Sequence, residues 1–413
     1  MIGKQVQQPT GRLALVNGRL ILPQQVVAGQ AVLVEDGHIL AIDDVGQIGS
    51  DVEQIDVGGR TITPGLIDIH THGGVGHNFN EPNEAAFAAI TAENARRGVT
   101  SLLATIATAP MPDMVACLEF SRQWMSQPRE GTQVLGVHQE GPYFNLAQAG
   151  AQDPGNIRSP DDGTPDELLE YRDVIRIMTY APELPGALEL TARLAKLGIV
   201  AAAGHSAAID EDVRAAMQAG LRHIIHLWSG QSSTVREGPW RKPGLLEAAL
   251  VFEGLTAEII ADNRHLPPTL MKLAYKCIGG DHLCAVSDAT NGAGLPEGTH
   301  FVMGKMRYEI NAGVAMLPDR TAFAGSSTLL NQMLPILTDV VGIPLPEAVR
   351  MVSLTPARVI GFEDRKGGLE AGKDADIAIY EDDFTAWRTM IAGQWAAGNH
   401  NSSKEKSNED SNL

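Results

Sequence analysis

The sequence predicts an α/β protein: a (β/α)8 barrel of the TIM type beside a small β-sandwich built from both ends of the chain. Three observations predict it. Short alternating apolar segments broken by Asn-Gly and Asp-Gly open the chain, apolar runs alternate with amphipathic stretches through its centre, and glycine-turned apolar segments return near its end.

The opening segments are LALVNGRLIL, AVLVEDGHILAIDD and VGGRTITPG, whose turn dipeptides are hairpin chemistry, so residues 1–62 are assigned to the sandwich. The barrel is expected over 63–358. Its strands are GLIDIHTH, TSLLATIAT, VLGVHQEGP, IRIMTYAPE, GIVAAAGHS, HIIHLWSG, TAEIIAD and LCAVSDAT. Helical segments such as NEAAFAAITAENARRG, DELLEYRD, ALELTARLAKLG and DEDVRAAMQAG lie between them, most closing at a glycine. This alternation fits a barrel, with a doubly wound open sheet as the structural alternative. RKGGLEAGKDADIAIYEDD and TMIAGQWAAG complete the sandwich over 359–397, and 398–413, lacking any apolar face, is expected to be a disordered tail.

Composition narrows the function classes. The net charge of -18 does not come from the tail, where Lys404 and Lys406 nearly balance Glu405, Glu409 and Asp410, so acidity is spread over the body. That argues against nucleic acid and against an anionic membrane surface as partners. Cys117, Cys277 and Cys284 form no disulfide or zinc-knuckle pattern, and no signal-peptide pattern or run of about 18 apolar residues is found. A cytoplasmic protein is the expectation.

Chemistry is expected where barrel strands end, because those ends converge on one mouth. His70 and His72 close the first strand on one face, with Asp68 sharing it; His138 and Glu140 close the third, His205 the fifth, His226 the sixth and Asp288 the eighth. Glu140, His205 and His226 make a carboxylate and imidazole set suited to zinc or iron, with a position left open for water. His70 and His72 are placed to hold a second ion with Glu140 as bridge, so one or two divalent ions per subunit are expected. Asp288 is the candidate acid/base that takes a proton from water and passes it to a leaving nitrogen. His138 is read as either a ligand or a hydrogen-bond support for one. His77, His223, His282 and His300 are read as surface or packing residues.

In order along the chain, PGLIDIHTHGG, GVHQEGPYFN, AAGHSAA, HIIHLWSG, AVSDAT and SLTPARVIGFEDRKGGLEAGKDADIAIY resemble the amidohydrolase superfamily, specifically the N-acetylglucosamine-6-phosphate deacetylases. The resemblance implies metal-dependent removal of acetate from an N-acetyl amino sugar phosphate, with Glu140, His205 and His226 as ligands and Asp288 as acid/base. It also implies that His265 in ADNRHLPP polarises the substrate carbonyl and that Arg236 in STVREGP meets a phosphate. Two departures fall on that phosphate end. Ser229 and Gly230 stand where the family presents Asn-Ala, and Gln152 stands where it presents a histidine. The alternative substrate is therefore a non-phosphorylated N-acyl sugar, an N-acyl amino acid or a cyclic amide. A homo-oligomer, dimer or tetramer, is expected.

Overall fold

The computed structural model describes residues 11–398 apart from 304, 305, 318, 321 and 322; except for Gly398, the expected tail lies outside the described residues. Eight parallel strands run in sequence order around one sheet: Leu66–Thr71, Val99–Ile106, Gln133–Glu140, Ile175–Tyr180, Val200–Ala203, His223–Ile224, Thr256–Ile260 and Leu283–Val286. The eighth returns to the first, where the Asp288 N–H donates to the His70 carbonyl at 2.8 Å and the Ser287 N–H to Asp68 Oδ1 at 3.3 Å. Closure puts the carboxyl ends of these strands around a common mouth, and the open-sheet alternative falls away.

The helices follow from local chemistry. Asn83 caps Glu84–Arg96 by accepting the Ala86 N–H at 3.0 Å, and Ala187–Leu197 stops at Gly198, whose φ of +73° continues the chain without a Cβ clash. Leu190, Leu194, Val213 and Ala216 bury the inner faces of two such helices. No helix among the described residues is long and apolar enough to cross a membrane.

Both chain ends meet in the accessory part. Thr61–Pro64 pairs parallel with Arg19–Ile21 and antiparallel with Ile377–Tyr380, setting Ile62 opposite Ile379 in a six-stranded sheet. A four-stranded sheet of His38–Asp44, Gln30–Glu35, Leu13–Val16 and Glu53–Asp56 packs on it through Leu13, Leu15, Val32, Val34, Ile377 and Ile379. Lys366, 2 % exposed, ties this part to the barrel by reaching Gln133 Oε1 at 2.7 Å while pairing with Asp376 and, at 3.1 Å, with Asp374.

Two elements go beyond the sequence reading. A hairpin of Val235–Glu237 and Trp240–Lys242 follows the sixth barrel strand, and an antiparallel sheet of His300–Met303, Met306–Asn311, Val314–Met316 and Phe323–Ser326 follows the eighth. The latter is legible in RYEINAGVAM, where alternating residues flank an Ala-Gly turn.

Candidate metal centre

Three of the mouth residues sit in left-handed backbone: His205 at φ +46°, His226 at +20° and Asp288 at +45°. Each ends its strand by turning sharply, a conformation disfavoured for residues with a Cβ, and the turn aims the side chain across the mouth. Glu140 is where they converge. Its Oε1 lies 3.2 Å from both His205 Nε2 and His226 Nε2, and its Oε2 lies 3.3 Å from His72 Nε2. His70 Nε2 lies 3.6 Å from Glu140 Oε1 and from Asp288 Oδ1, and Asp288 Oδ1 is 3.3 Å from His72 Nε2. The ligand atoms fall into two overlapping sets, His70/His72/Glu140 and Glu140/His205/His226, each within 4.8 Å.

The donor set fits divalent ions. His70 Nε2 is fully buried with no hydrogen-bond partner, an arrangement that costs free energy and that a cation replacing its proton would relieve. Imidazole nitrogens sharing one carboxylate suit zinc or iron. Burial works against charge on His72, yet Asp288 and Glu140 outweigh it and raise its pKa to about 9; His70 is likewise raised well above the usual range, burial notwithstanding, by Glu258, Asp288 and Glu140. Burial also opposes ionisation of Glu140, but His205, His226, His70 and His72 hold it well below the usual carboxylate range.

An ion entering the His70/His72/Glu140 set must displace the protons of those two imidazoles. Apparent affinity should therefore rise with pH, by about tenfold per unit for each proton released, up to the His72 pKa of about 9. Calorimetric titration of Zn2+ in buffers of differing ionisation enthalpy measures the protons; affinity flat from pH 6.5 to 9 would contradict the assignment.

The amidohydrolase family model matches residues 61–399. The chain belongs to the amidohydrolase family. It is 33% identical to the N-acetylglucosamine-6-phosphate deacetylase of Haemophilus influenzae over 93% of this chain and 99% of that relative. It is 30% identical to the N-acetylgalactosamine-6-phosphate deacetylase of Escherichia coli O157:H7 over 92% and 98%. Its structure is similar to the crystal structure of N-acetylglucosamine-6-phosphate deacetylase from Pasteurella multocida, with a TM-score of 0.87, 28% identity and coverage of 94% and 100%.

Around the candidate ligands, this amidohydrolase orients two of the imidazoles by their far nitrogens. His205 Nδ1 meets the Gln148 carbonyl at 2.9 Å, and His70 Nδ1 meets Glu258 Oε2 at 2.8 Å. Gly230 makes room for this: at φ +55°, a Cβ there would stand 2.8 Å from His205 Nδ1 and 3.1 Å from the Gln148 carbonyl oxygen. Asp262 Oδ2 holds His265 Nδ1 at 2.7 Å and accepts from the Ser326 hydroxyl at 3.0 Å. The Ser326 N–H donates to the Asp288 carbonyl at 2.8 Å, so one residue braces both Asp262 and the Asp288 backbone.

The sequence-predicted residues separate into two groups. His70, His72, Glu140, His205, His226 and Asp288 come together. Gln152 joins them in an unexpected role: its Nε2 donates to Glu140 Oε2 at 2.7 Å, and its Oε1, accepting the Thr108 N–H at 3.0 Å, fixes that orientation of the amide. Arg236 lies on the exposed hairpin with its Nε donating to the Gly238 carbonyl at 2.8 Å. Ser229 and Gly230 form the turn after His226, where the Ser229 N–H donates to the His226 carbonyl at 3.1 Å. His138 belongs to neither ligand set: its Nε2 lies 2.7 Å from Thr179 Oγ1, and burial, then His70, hold its pKa well below the usual value. His223, read from the sequence as a packing residue, is fully buried with its Nε2 2.9 Å from Glu258 Oε1. Glu258 and Asp262 went unread, although a carboxylate inside the apolar strand TAEIIAD is a signal of the same kind as Glu140.

Proposed function

We propose that this amidohydrolase removes acetate from N-acetylglucosamine 6-phosphate or a closely related N-acetyl amino sugar phosphate, using one or two divalent ions, zinc or iron. The observation that carries the reading is Glu140, shared between two imidazole pairs and lying beside Asp288 at a barrel mouth. The names of the relatives support the substrate class and leave the sugar epimer to experiment.

Glu140, His205 and His226 would hold one ion, and His70, His72 and Glu140 a second. When bound, such an ion supplies Lewis acidity that polarises a carbonyl and lowers the pKa of water from about 16 to about 7. Burial opposes charge on Asp288, but His70 and His72 outweigh it and lower its pKa, so at neutral pH it is a carboxylate able to take a proton from water. As the new C–O bond forms and the C–N bond breaks, Asp288 returns that proton to the leaving nitrogen, yielding acetate and the free amine. Asp262 commits His265 Nδ1; against the effect of burial it raises the imidazole pKa, keeping Nε2–H available to the substrate carbonyl oxygen.

Gln152 is neutral and engaged with Glu140, and Ser229-Gly230 stands where the family has Asn-Ala; both departures favour the non-phosphorylated N-acyl sugar as second reading. Acetate release from metal-loaded protein is expected with N-acetylglucosamine 6-phosphate or its galacto epimer at least tenfold above plain N-acetylglucosamine, roughly the value of one charge-assisted contact. Equal turnover of the plain sugar would favour the second reading; no acetate from any of the three would end the proposal. The unpaired cysteines, two of them buried, support a reducing, cytoplasmic setting, and a homo-oligomer is proposed on symmetry grounds alone.

A further inference from the structure

Glu258 stands in the barrel core with no exposure and no lysine or arginine partner among its described contacts. Its two oxygens are divided between two equally buried imidazoles: Oε2 lies 2.8 Å from His70 Nδ1, and Oε1 lies 2.9 Å from His223 Nε2. His223 is held from its other side, its Nδ1 2.7 Å from Thr256 Oγ1. A carboxylate buried this deeply contributes little to stability compared with a well-packed apolar side chain. Its placement is better explained by what it does to His70.

Facing a carboxylate, His70 Nδ1 must carry its proton. Only Nε2 can then present a lone pair, and Nε2 is the buried atom without a partner that points between Glu140 and Asp288. The other ion set is oriented differently. His205 leans on a neutral carbonyl of Gln148, and Glu258 touches His226 only through the backbone N–H, at 3.3 Å. The carboxylate support is thus directed at one ion set.

We propose that Glu258 is a positioning residue that creates the second ion site, fixing His70 as the Nδ1–H tautomer and raising the basicity of the nitrogen that binds. The proposal rests on the reading that both sets hold ions. His223 completes it by occupying the oxygen of Glu258 that His70 does not use.

The test is a Zn2+ titration of ion-free wild-type protein and of Glu258→Gln, followed by calorimetry and elemental analysis. Wild type is expected to take two ions. Glu258→Gln is expected to keep the affinity of the first, held by Glu140, His205 and His226, and to bind the second 10- to 100-fold more weakly, the usual cost of losing such a support. Two ions at wild-type affinity in the variant would overturn this assignment alone. Loss of both together would overturn it in favour of a general structural role, and a wild type that takes fewer than two would overturn the second set itself. If the variant does not fold, nitrogen NMR of the wild-type imidazoles decides. After Zn2+ addition His70 must show a protonated Nδ1 and a coordinated Nε2; the reverse pattern overturns the proposal.

Discussion

Asp288→Asn is expected to lower kcat by roughly 10²- to 10⁴-fold, about 2.7–5.4 kcal/mol of barrier, with folding intact. The carboxamide is nearly isosteric with the carboxylate, so the bonds that seat the residue, from its own N–H to the His70 carbonyl and from the Ser326 N–H to its own carbonyl, survive. What disappears is a basic oxygen. An amide cannot take the proton of the attacking water at neutral pH and has none to return to nitrogen. The ion bound by Glu140, His205 and His226 should stay, because Asp288 is not in that set. Steady-state rates with elemental analysis check this; a variant within tenfold of wild type at equal metal content would remove Asp288 from the reaction.

Glu140→Gln should have a still wider effect, abolishing both ion binding and measurable acetate release. Each of the two ligand sets depends on this one side chain, its Oε1 serving His205 and His226 and its Oε2 facing His72. The replacement also leaves buried imidazoles that had gathered around a charge without it, and breaking buried ion pairs on one side typically costs about 3–5 kcal/mol. A lower melting temperature and metal content near zero are expected. Retention of a full equivalent of ion would show that the imidazoles bind without a shared carboxylate, and the bridging geometry would be wrong.

Much of this site was legible in the sequence because barrels make position along a strand informative. Once GLIDIHTH, VLGVHQEGP, GIVAAAGHS, HIIHLWSG and LCAVSDAT are read as strands, their polar ends must face one mouth, and the structure places His70, His72, Glu140, His205, His226 and Asp288 there. Gln152 shows the limit of that logic. It lies in a loop, and nothing in its neighbours says that the loop folds back so that its amide reaches Glu140 and not the far end of the pocket. His223 is a second case. It begins a strand, away from the mouth, and its importance comes only from Glu258 on the neighbouring strand, paired with it across the sheet interior.

By itself, then, the sequence determined the alternation of strands and helices, the β character of both chain ends and the set of groups able to hold ions, because hydrophobic periodicity and strand polarity are local properties. Only the tertiary structure decided that Gln152 and Glu258 brace the candidate ligands and that Arg236 lies out on a hairpin. Those facts depend on distances of about 3 Å between atoms far apart along the chain, and hydrogen bonding at that range is settled by barrel closure and loop path, which no local pattern encodes.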